Sequence, residues 1–529
     1  MRFLPVNLNA LLVELADLDQ TRALFDALAA RPIAGVEEAI PAARTVLIRF
    51  RPSVVTRAAL VDALGGLNLA HRAAAPVKRV EIPVRYDGED LAEVARILGI
   101  TPQEVVARHT GSDYVVAFTG FAPGFAYLSG GHPGLDVPRR STPRTRIPAG
   151  AVGLAGTFSG VYPQASPGGW QIIGVTRTPM WDLSRAQPAL LQPGYRVRFV
   201  DVTGQPQAPE PASAPAPAVD AAAGAASLEV RATGLQAVFQ DLGRHGQAGQ
   251  GVSASGAMDQ GALRAANRLV GNPSDSACVE IVYGGFEVVC RGEAVVAVTG
   301  AQLPLTLTAA DGTHWPVATH EAVALSDGDR LGLGAPSAGI RSYLAVRGGF
   351  AVAPVLGSCS TDTLAHVGPA PLAAGDRLPI RPVARGAVVG LPELPPADLP
   401  TTQEVVTLDV VMGPRTDWFT AEAVETLCGQ LWQVTPQSNR VGIRLAGERP
   451  LARAHTAELP SEGTALGAIQ VPPSGQPVLF LADHPLTGGY PVIASVATHH
   501  LDRAGQIPVN AQVRFNPITA FEATTSTSP

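Results

Sequence analysis

The sequence predicts a mainly β protein, with a small α+β domain at the N-terminus and β-barrel domains after it. Three observations carry that expectation. Short strand-like runs such as "EVVC", "AVVAVTG", "SYLAVRGG" and "PVLFLA" recur between Gly, Pro and Asp turns. Helical patterns are few in the second half of the chain. A Pro/Ala-rich run over residues 204–227 divides the chain, because such a composition cannot bury enough apolar surface to fold and reads as a linker.

In the α+β domain, residues 1–76, "ALLVELA" and "RTVLIRF" read as strands, and "TRALFDALAA" and "TRAALVDALGG" as helices. Residues 77–203 then form a barrel. "VEIPVRYDG" opens it as a strand, followed by the helix "EDLAEVARILG" with acidic residues in its first turn. "TPQEVVARHTG" is a second helix with Thr101 as N-cap, Pro102 at its first position and Glu104 closing a capping box. "DYVVAFTG" is the next strand. Beyond the linker, residues 228–395 and 396–520 make two β domains, and residues 521–529 a disordered tail. The two helices expected there are "DQGALRAANRLVG", from Asp259 as cap to Gly271 as stop, and "AEAVETLCG".

Composition excludes several functions. The net charge is −6 and charged residues are 16%, so no basic field points to nucleic acid. No long apolar run predicts a membrane span, and the N-terminus has no convincing signal-peptide pattern, which predicts a cytoplasmic protein. Cys278, Cys290, Cys359 and Cys428 are scattered, as reduced thiols would be. Lys78 is the only lysine, so a phosphate loop of the G-x-x-x-x-G-K type is ruled out.

Three motifs stand out. In "PRRSTPRTRIPAG", Arg139, Arg140, Arg144 and Arg146 alternate with prolines that hold the backbone extended. Guanidinium forks match phosphate or carboxylate. A charged run is ordinarily a solvated loop. The neighbouring glycines of "GFAPGF" and "SPGGWQ" favour a ligand instead, because they allow backbone N–H groups to approach one. In "QDLGRHG", Asp241, Arg244 and His245 share one turn, either a surface turn or an anion site with a proton carrier. The stretch from "SEGTALGAIQ" to "LADHPLTGGYPVIA" gathers Glu462, Gln470, Asp483, His484 and Tyr490. His499 and His500 lack metal-ligand spacing, and no metal site is expected.

Together these strings resemble a known family. "GFAPGFAYLSG", "PRRSTPRTRIPAG" and "GVYPQASPGGWQIIG" are similar to the B subunit of 5-oxoprolinase, the allophanate-hydrolase-subunit-1-like domain. "QDLGRHGQAGQGVSASGAMDQGALRAANRLVGNP", "GIRSYLAVRGGF", "SEGTALGAIQVPPSGQPVLFLAD" and "TGGYPVIA" are similar to the C subunit, its subunit-2-like companion. The chain thus resembles a natural B–C fusion joined by the Pro/Ala run, within a urea-amidolyase-related family. The chain departs from the family pattern at Cys359, His484, Pro485, Val509 and Asn510.

The resemblance implies cyclophilin-like barrels and ATP-dependent opening of the 5-oxoproline lactam to glutamate. It further implies a small-molecule substrate, Mg²⁺ with the ATP, and a separate A subunit of 5-oxoprolinase as partner. Formation of a homo-oligomer is compatible with it. On this reading Arg139 and Arg144 bind anions, with Gln171 and the backbone of Gly168 and Gly169 as neutral donors. Asp241, Arg244, Glu462 and Asp483 are the expected catalytic groups, and Arg341, Gln470 and Tyr490 complete the opposite wall. Two other readings are a module that sequesters a histidine kinase and a carboxyltransferase-like domain acting on another small amide, which would need a biotinylated partner.

Overall fold

The computed structural model describes residues 1–69, 78–140, 142, 144–205 and 226–525. The expected linker core, residues 206–225, and the expected boundary at 76/77 lie outside the described residues.

The N-terminal domain contains strands Arg2–Asn7 (β1) and Ala10–Glu14 (β2), helix Leu18–Ala30 (α1), strands Val36–Pro41 (β3) and Thr45–Phe50 (β4), and helix Arg57–Gly65 (α2). Asp17 and Thr56 start the helices by accepting backbone N–H groups of Gln20 and Ala59. One face of the sheet packs Leu11, Val13, Val46 and Ile48 against Leu24, Leu28, Leu60 and Leu64 of the helices. Its other face packs Leu4, Leu12 and Leu47 against Leu486 of the C-terminal half. Burial on both faces explains why β1 and β2 read as continuous apolar runs.

The next domain opens with strand Arg79–Val84 (β5), helices Leu91–Leu98 (α3) and Pro102–Thr110 (α4), and strands Tyr114–Thr119 (β6) and Ala126–Ser129 (β7). Arg144–Ile147 (β8), Ala151–Ala155 (β9), Phe158–Val161 (β10), Ser166–Gly168 (β11), Gln171–Val175 (β12) and Arg196–Asp201 (β13) complete it. Seven strands run β12-β9-β10-β7-β6-β13-β5, and β8 pairs only with β11 as a separate ribbon. Arg85 and Val175 exchange backbone hydrogen bonds of 2.9 Å and curl the sheet back on itself. Ile82, Val116, Leu128, Leu154, Ile173 and Phe199 fill the interior. Thr101 caps α4 as expected, accepting from Glu104 N–H at 3.1 Å. The capping box does not close, because the Glu104 carboxylate pairs with Arg108 one turn on.

The C-like half begins with Ser227–Thr233 (β14) and Gln236–Gln240 (β15), then helix Gln260–Val270 (α5). Cys278–Val282 (β16), Phe286–Arg291 (β17), Ala294–Gln302 (β18), Leu305–Thr308 (β19) and His314–Val317 (β20) follow. Ala322–Leu325 (β21), Arg330–Leu333 (β22), Ala338–Val346 (β23) and Arg377–Pro379 (β24) complete two sheets that face each other across one core. This domain is a sandwich, whereas the chain's other large β domains are barrels. The expected linker end at 227 is corrected by β14, in which Ser227 already pairs with Arg291. Helix α5 runs as expected, with Asp259 accepting Ala262 N–H and Gly271 stopping it at φ 74°.

Last comes a closed barrel. Its elements are Val405–Met412 (β25), helix Ala421–Gly429 (α6), Trp432–Val434 (β26), Gly442–Ala446 (β27), Glu462–Gly463 (β28), Ala468–Gln470 (β29) and Val478–Phe480 (β30). Thr487–Gly488 (β31), Val492–Val496 (β32), helix Leu501–Gly505 (α7) and Gln512–Thr519 (β33) finish it. Strand β25 lies parallel to β33, as β5 lies parallel to β13. The tail expected to be disordered is ordered as far as residue 525. Phe521 packs on the barrel core, and Thr524–Thr525 (β34) pairs with Arg2 and Phe3. Residues 526–529 lie outside the described residues. Among the described residues no helix is long and apolar enough to cross a membrane.

Candidate functional site

Segments that flank the two ribbons, β8–β11 and β28–β31, touch, and there the structure brings together residues from both halves. Arg139, at the entry to the first ribbon, pairs with Glu458 at the entry to the second, 3.1 Å away. Its Nη1 also lies against Gly489. Gln171 donates from Nε2 to Pro138 O at 3.2 Å, which ties β12 to the arginine segment. Its Oε1 is buried with no partner among the described residues. Opposite, Gln470 donates to Tyr490 O at 3.2 Å, and the half-exposed Tyr490 ring lies 5.8 Å from the Arg453 guanidinium. Gly168 is required by space, because a Cβ there would stand 2.3 Å from the Tyr162 hydroxyl. Gly169 O accepts Arg140 N–H at 2.8 Å and holds the loop against β11. The junction therefore offers guanidinium, amide and phenol groups over half-buried backbone, a donor set suited to carboxylate, phosphate and amide oxygens.

Arg144 shares the first ribbon, facing Gly168. Its guanidinium turns to Asp90, with both bonds at 2.8 Å, and Arg140 reaches the same carboxylate at 2.7 Å. Ile172 N–H donates to Asp90 at 2.7 Å. Burial alone would raise this carboxyl, but the Arg144 and Ile172 bonds outweigh it and hold Asp90 below the usual range. The sequence concealed Asp90 as a first-turn acid of a helix. Helix α3 begins at Leu91, and the Asp90 side chain makes no capping bond.

The glycines of "GFAPGF" serve docking rather than a ligand. Gly124 N–H is taken by Gln250 O at 2.9 Å. A Cβ on Gly120 would stand 2.3 Å from Thr487 Oγ1, and one on Gly251 2.7 Å from Ala122 O. The loop is the seat on which the halves meet.

Four expected site residues lie away from this junction and are held by groups of the protein itself. Asp241 accepts from Ser358, Ser360 and the N–H groups of Gly243 and Cys359, fixing the 358–360 turn. Arg244 runs inward to Ser360 O and Val355 O, while His245 turns the other way to Arg49. Arg341 reaches Gly505 O and lies 3.7 Å from Glu280. Asp483 is gripped by Arg440, Ser255 and Thr363. All but Asp241 are less than a tenth exposed, and the structure does not bring these four to the junction. Glu462 lies in a separate buried pair with Arg415. Asp362, which the sequence did not single out, accepts from Ser253 at 2.9 Å. Burial and the neighbouring Asp483 charge push its carboxyl up to about 7.

The pair His499–His500 finds a partner that spacing did not reveal. Asp409 joins them, with donor atoms within 4.8 Å of one another. Those atoms are already engaged. His499 Nε2 lies 3.0 Å from Asp409 Oδ2, and Asp409 N–H donates to His500 Nδ1 at 2.8 Å. The bonds tie the turn at 498–500 to β25.

Comparison with known proteins matches this architecture. The model "Carboxyltransferase domain, subdomain C and D" matches residues 1–191, and "Carboxyltransferase domain, subdomain A and B" matches residues 250–517. The chain is 36% identical over 301 residues to the C subunit of 5-oxoprolinase from Escherichia coli (strain K12), covering 56% of this chain and 93% of that protein. It is 43% identical over 169 residues to the B subunit of 5-oxoprolinase from Escherichia coli O157:H7, covering 31% of this chain and 78% of that protein. The crystal structure of TTHA0988 superposes with a TM-score of 0.83 at 35% identity, covering 96% of this chain and 99% of that one.

Proposed function

The chain belongs to the carboxyltransferase-domain family, its halves similar to the B and C subunits of 5-oxoprolinase, and on that premise we propose that it opens a lactam. The reaction is ATP-dependent hydrolysis of 5-oxo-L-proline to L-glutamate, ADP and phosphate, carried out in the cytoplasm with a separate A subunit. The single observation that supports it best is the junction, where Arg139 of the B-like half, whose neighbour Pro138 is bound by Gln171, pairs with Glu458 of the C-like half and lies against Gly489, next to Tyr490.

Lactam opening needs a poor amide electrophile to be activated and its charge to be stabilised. ATP would supply a phosphoryl group to the lactam oxygen and so make it a leaving group. The residues fit that cofactor: Arg139, Arg140 and Arg144 suit phosphate oxygens, and the exposed carboxylate of Glu458 suits Mg²⁺, which takes oxygen ligands. This chain's part is positioning and charge stabilisation, the terms that dominate phosphoryl transfer. Guanidinium groups hold the anionic ends, Gln171 and Gln470 orient the neutral amide, and the Gly168–Gly169 ribbon brings backbone close.

The family description favours a second reading, carboxyl transfer to a small amide. Lys78, the only lysine, lies over the Tyr195 ring at 5.3 Å, so a biotin carrier would be another chain. Both readings are separated by one assay on the full chain together with the A-type partner protein. Lactam opening requires ADP release that depends on 5-oxo-L-proline and on both proteins; release that instead requires a biotinylated protein and bicarbonate refutes it.

A further inference from the structure

The two barrels repeat one design with the charges exchanged. Each has its first strand parallel to its last, and each carries a two-stranded ribbon, β8–β11 or β28–β31, apart from its wall. Backbone hydrogen bonds fix the correspondence residue by residue. Gly88 and Asp90 donate to Ile173 O and Ile172 O at 3.2 and 2.9 Å. Gly413 and Arg415 donate to Ile493 O and Val492 O at 3.1 and 2.9 Å. The strings "GGWQII" from Gly168 and "GGYPVI" from Gly488 align these acceptors without a gap. Asp90 therefore stands where the second barrel has Arg415. Across each ribbon, Arg144 pairs with Gly168 and Glu462 with Gly488, so these two also correspond.

Both correspondences are ion pairs of opposite polarity, Asp90–Arg144 at 2.8 Å and Arg415–Glu462. A further charge joins each pair: Arg140 reaches Asp90 at 2.7 Å, and Glu14 reaches Arg415 at 2.8 Å. Access then separates the copies. The Arg415 and Glu462 side chains are 3% and 10% exposed, and Glu14 comes from the N-terminal sheet, so the second copy is a lock between domains. The Arg140 and Arg144 side chains are 33% and 21% exposed, anchored from beneath by an Asp90 side chain exposed only 4%. Arg144 also pairs with Glu89, whose side chain is 76% exposed and readily displaced. Arg140 Nε has no acceptor among the described residues.

We infer that the first-barrel copy is an oxyanion site. A phosphoryl or carboxylate group takes the place of Glu89 on Arg144 and binds the spare N–H groups of Arg140, while Asp90 keeps both guanidiniums aligned. The choice of probes rests on the lactam-opening reading; the site itself rests on the duplicated geometry. Its counterpart in the second barrel binds nothing and holds the halves together.

Titration calorimetry on the full chain tests this with three probes used separately: inorganic phosphate, ATP with Mg²⁺, and 5-oxo-L-proline. Arg140→Ala should weaken the responsive probe tenfold or more, and Glu89→Gln, by removing the competing carboxylate, should tighten it several-fold. Glu14→Gln should lower Tm and leave Kd unchanged. Arg140→Lys serves if the alanine variant does not fold, with a smaller loss of the same sign. If only phosphate follows this pattern, the site stands and the lactam reading loses its ligand site. If ATP or 5-oxo-L-proline binds but ignores Arg140→Ala and Glu89→Gln, the inference fails and lactam opening survives. Binding by none of the probes, or a Glu14→Gln effect on Kd equal to that of Arg140→Ala, overturns the inference.

Discussion

The guanidinium of Arg440 lies side-on to the carboxylate of Asp483, Nε to Oδ2 and Nη2 to Oδ1 both at 3.0 Å, and solvent reaches neither. Arg440 also holds Glu280, so one cation serves two buried acids from different domains. Arg440→Met leaves Asp483 buried without a counter-charge and Glu280 with Arg341 alone, and should cost about 3–5 kcal/mol. Urea denaturation measures it, and an unchanged midpoint would show that the pair adds nothing.

Asp362 makes stability fall as pH rises. Its carboxyl stands at about 7 in the fold against an ordinary 3.8. Between those values the folded chain keeps a proton that the unfolded chain has released, so its contribution is complete below about pH 4 and is lost through pH 7. Relative to Asp362→Asn, the wild type should lose roughly 2–4 kcal/mol between pH 5 and pH 8. Denaturant unfolding of both proteins at each pH is the check. Parallel curves would contradict a proton on this group.

His109 acts in the opposite direction. It is sealed between Tyr86 and Ser159, 2.7 and 2.8 Å away, and burial pulls it down to about 3 from 6.5. The unfolded chain therefore binds a proton that the folded chain refuses, and stability present above pH 6.5 is lost as pH falls toward 3. Between pH 7 and pH 4 the wild type should lose roughly 3 kcal/mol relative to His109→Gln. Acid unfolding followed by circular dichroism measures the gap, and an equal acid midpoint for both proteins would contradict it.

Gly120 faces Thr487 across the junction, where a Cβ would stand 2.3 Å from Oγ1 and 2.6 Å from Cγ2. Gly120→Ala should cost about 1–3 kcal/mol by overpacking. Thr487→Ala in the same chain removes both atoms and should recover most of that loss. Additive effects in the double variant would mean that the two residues do not press on each other.

Local patterns in the sequence were enough to locate helices α1 to α6 but only a minority of the strands, because capping and turn chemistry act within a few residues. Thr101 and Asp259 cap the helices that they announce. The arginines and the Gly-Gly turn were also visible as an unusual run. Their partners were not. Asp90 looks like any acid at a helix start, and only barrel closure carries it to Arg140 and Arg144. Arg415 meets Glu14 only when the last barrel docks on the first sheet. Asp241, Arg244, Arg341 and Asp483 show why charge in a motif is an ambiguous sign: the same side chains that could bind a ligand here engage hydroxyls, opposite charges or the backbone inside the protein.

Two residues near the end of the chain have an outsized duty. Thr524–Thr525 lies along Arg2 and Phe3, the outermost strand of the N-terminal sheet. An uncovered strand border invites a neighbouring molecule to add its own strand, which is how sheets grow into aggregates. The short C-terminal segment therefore acts as a cover, and trimming it would expose a surface on which one molecule could recruit the next.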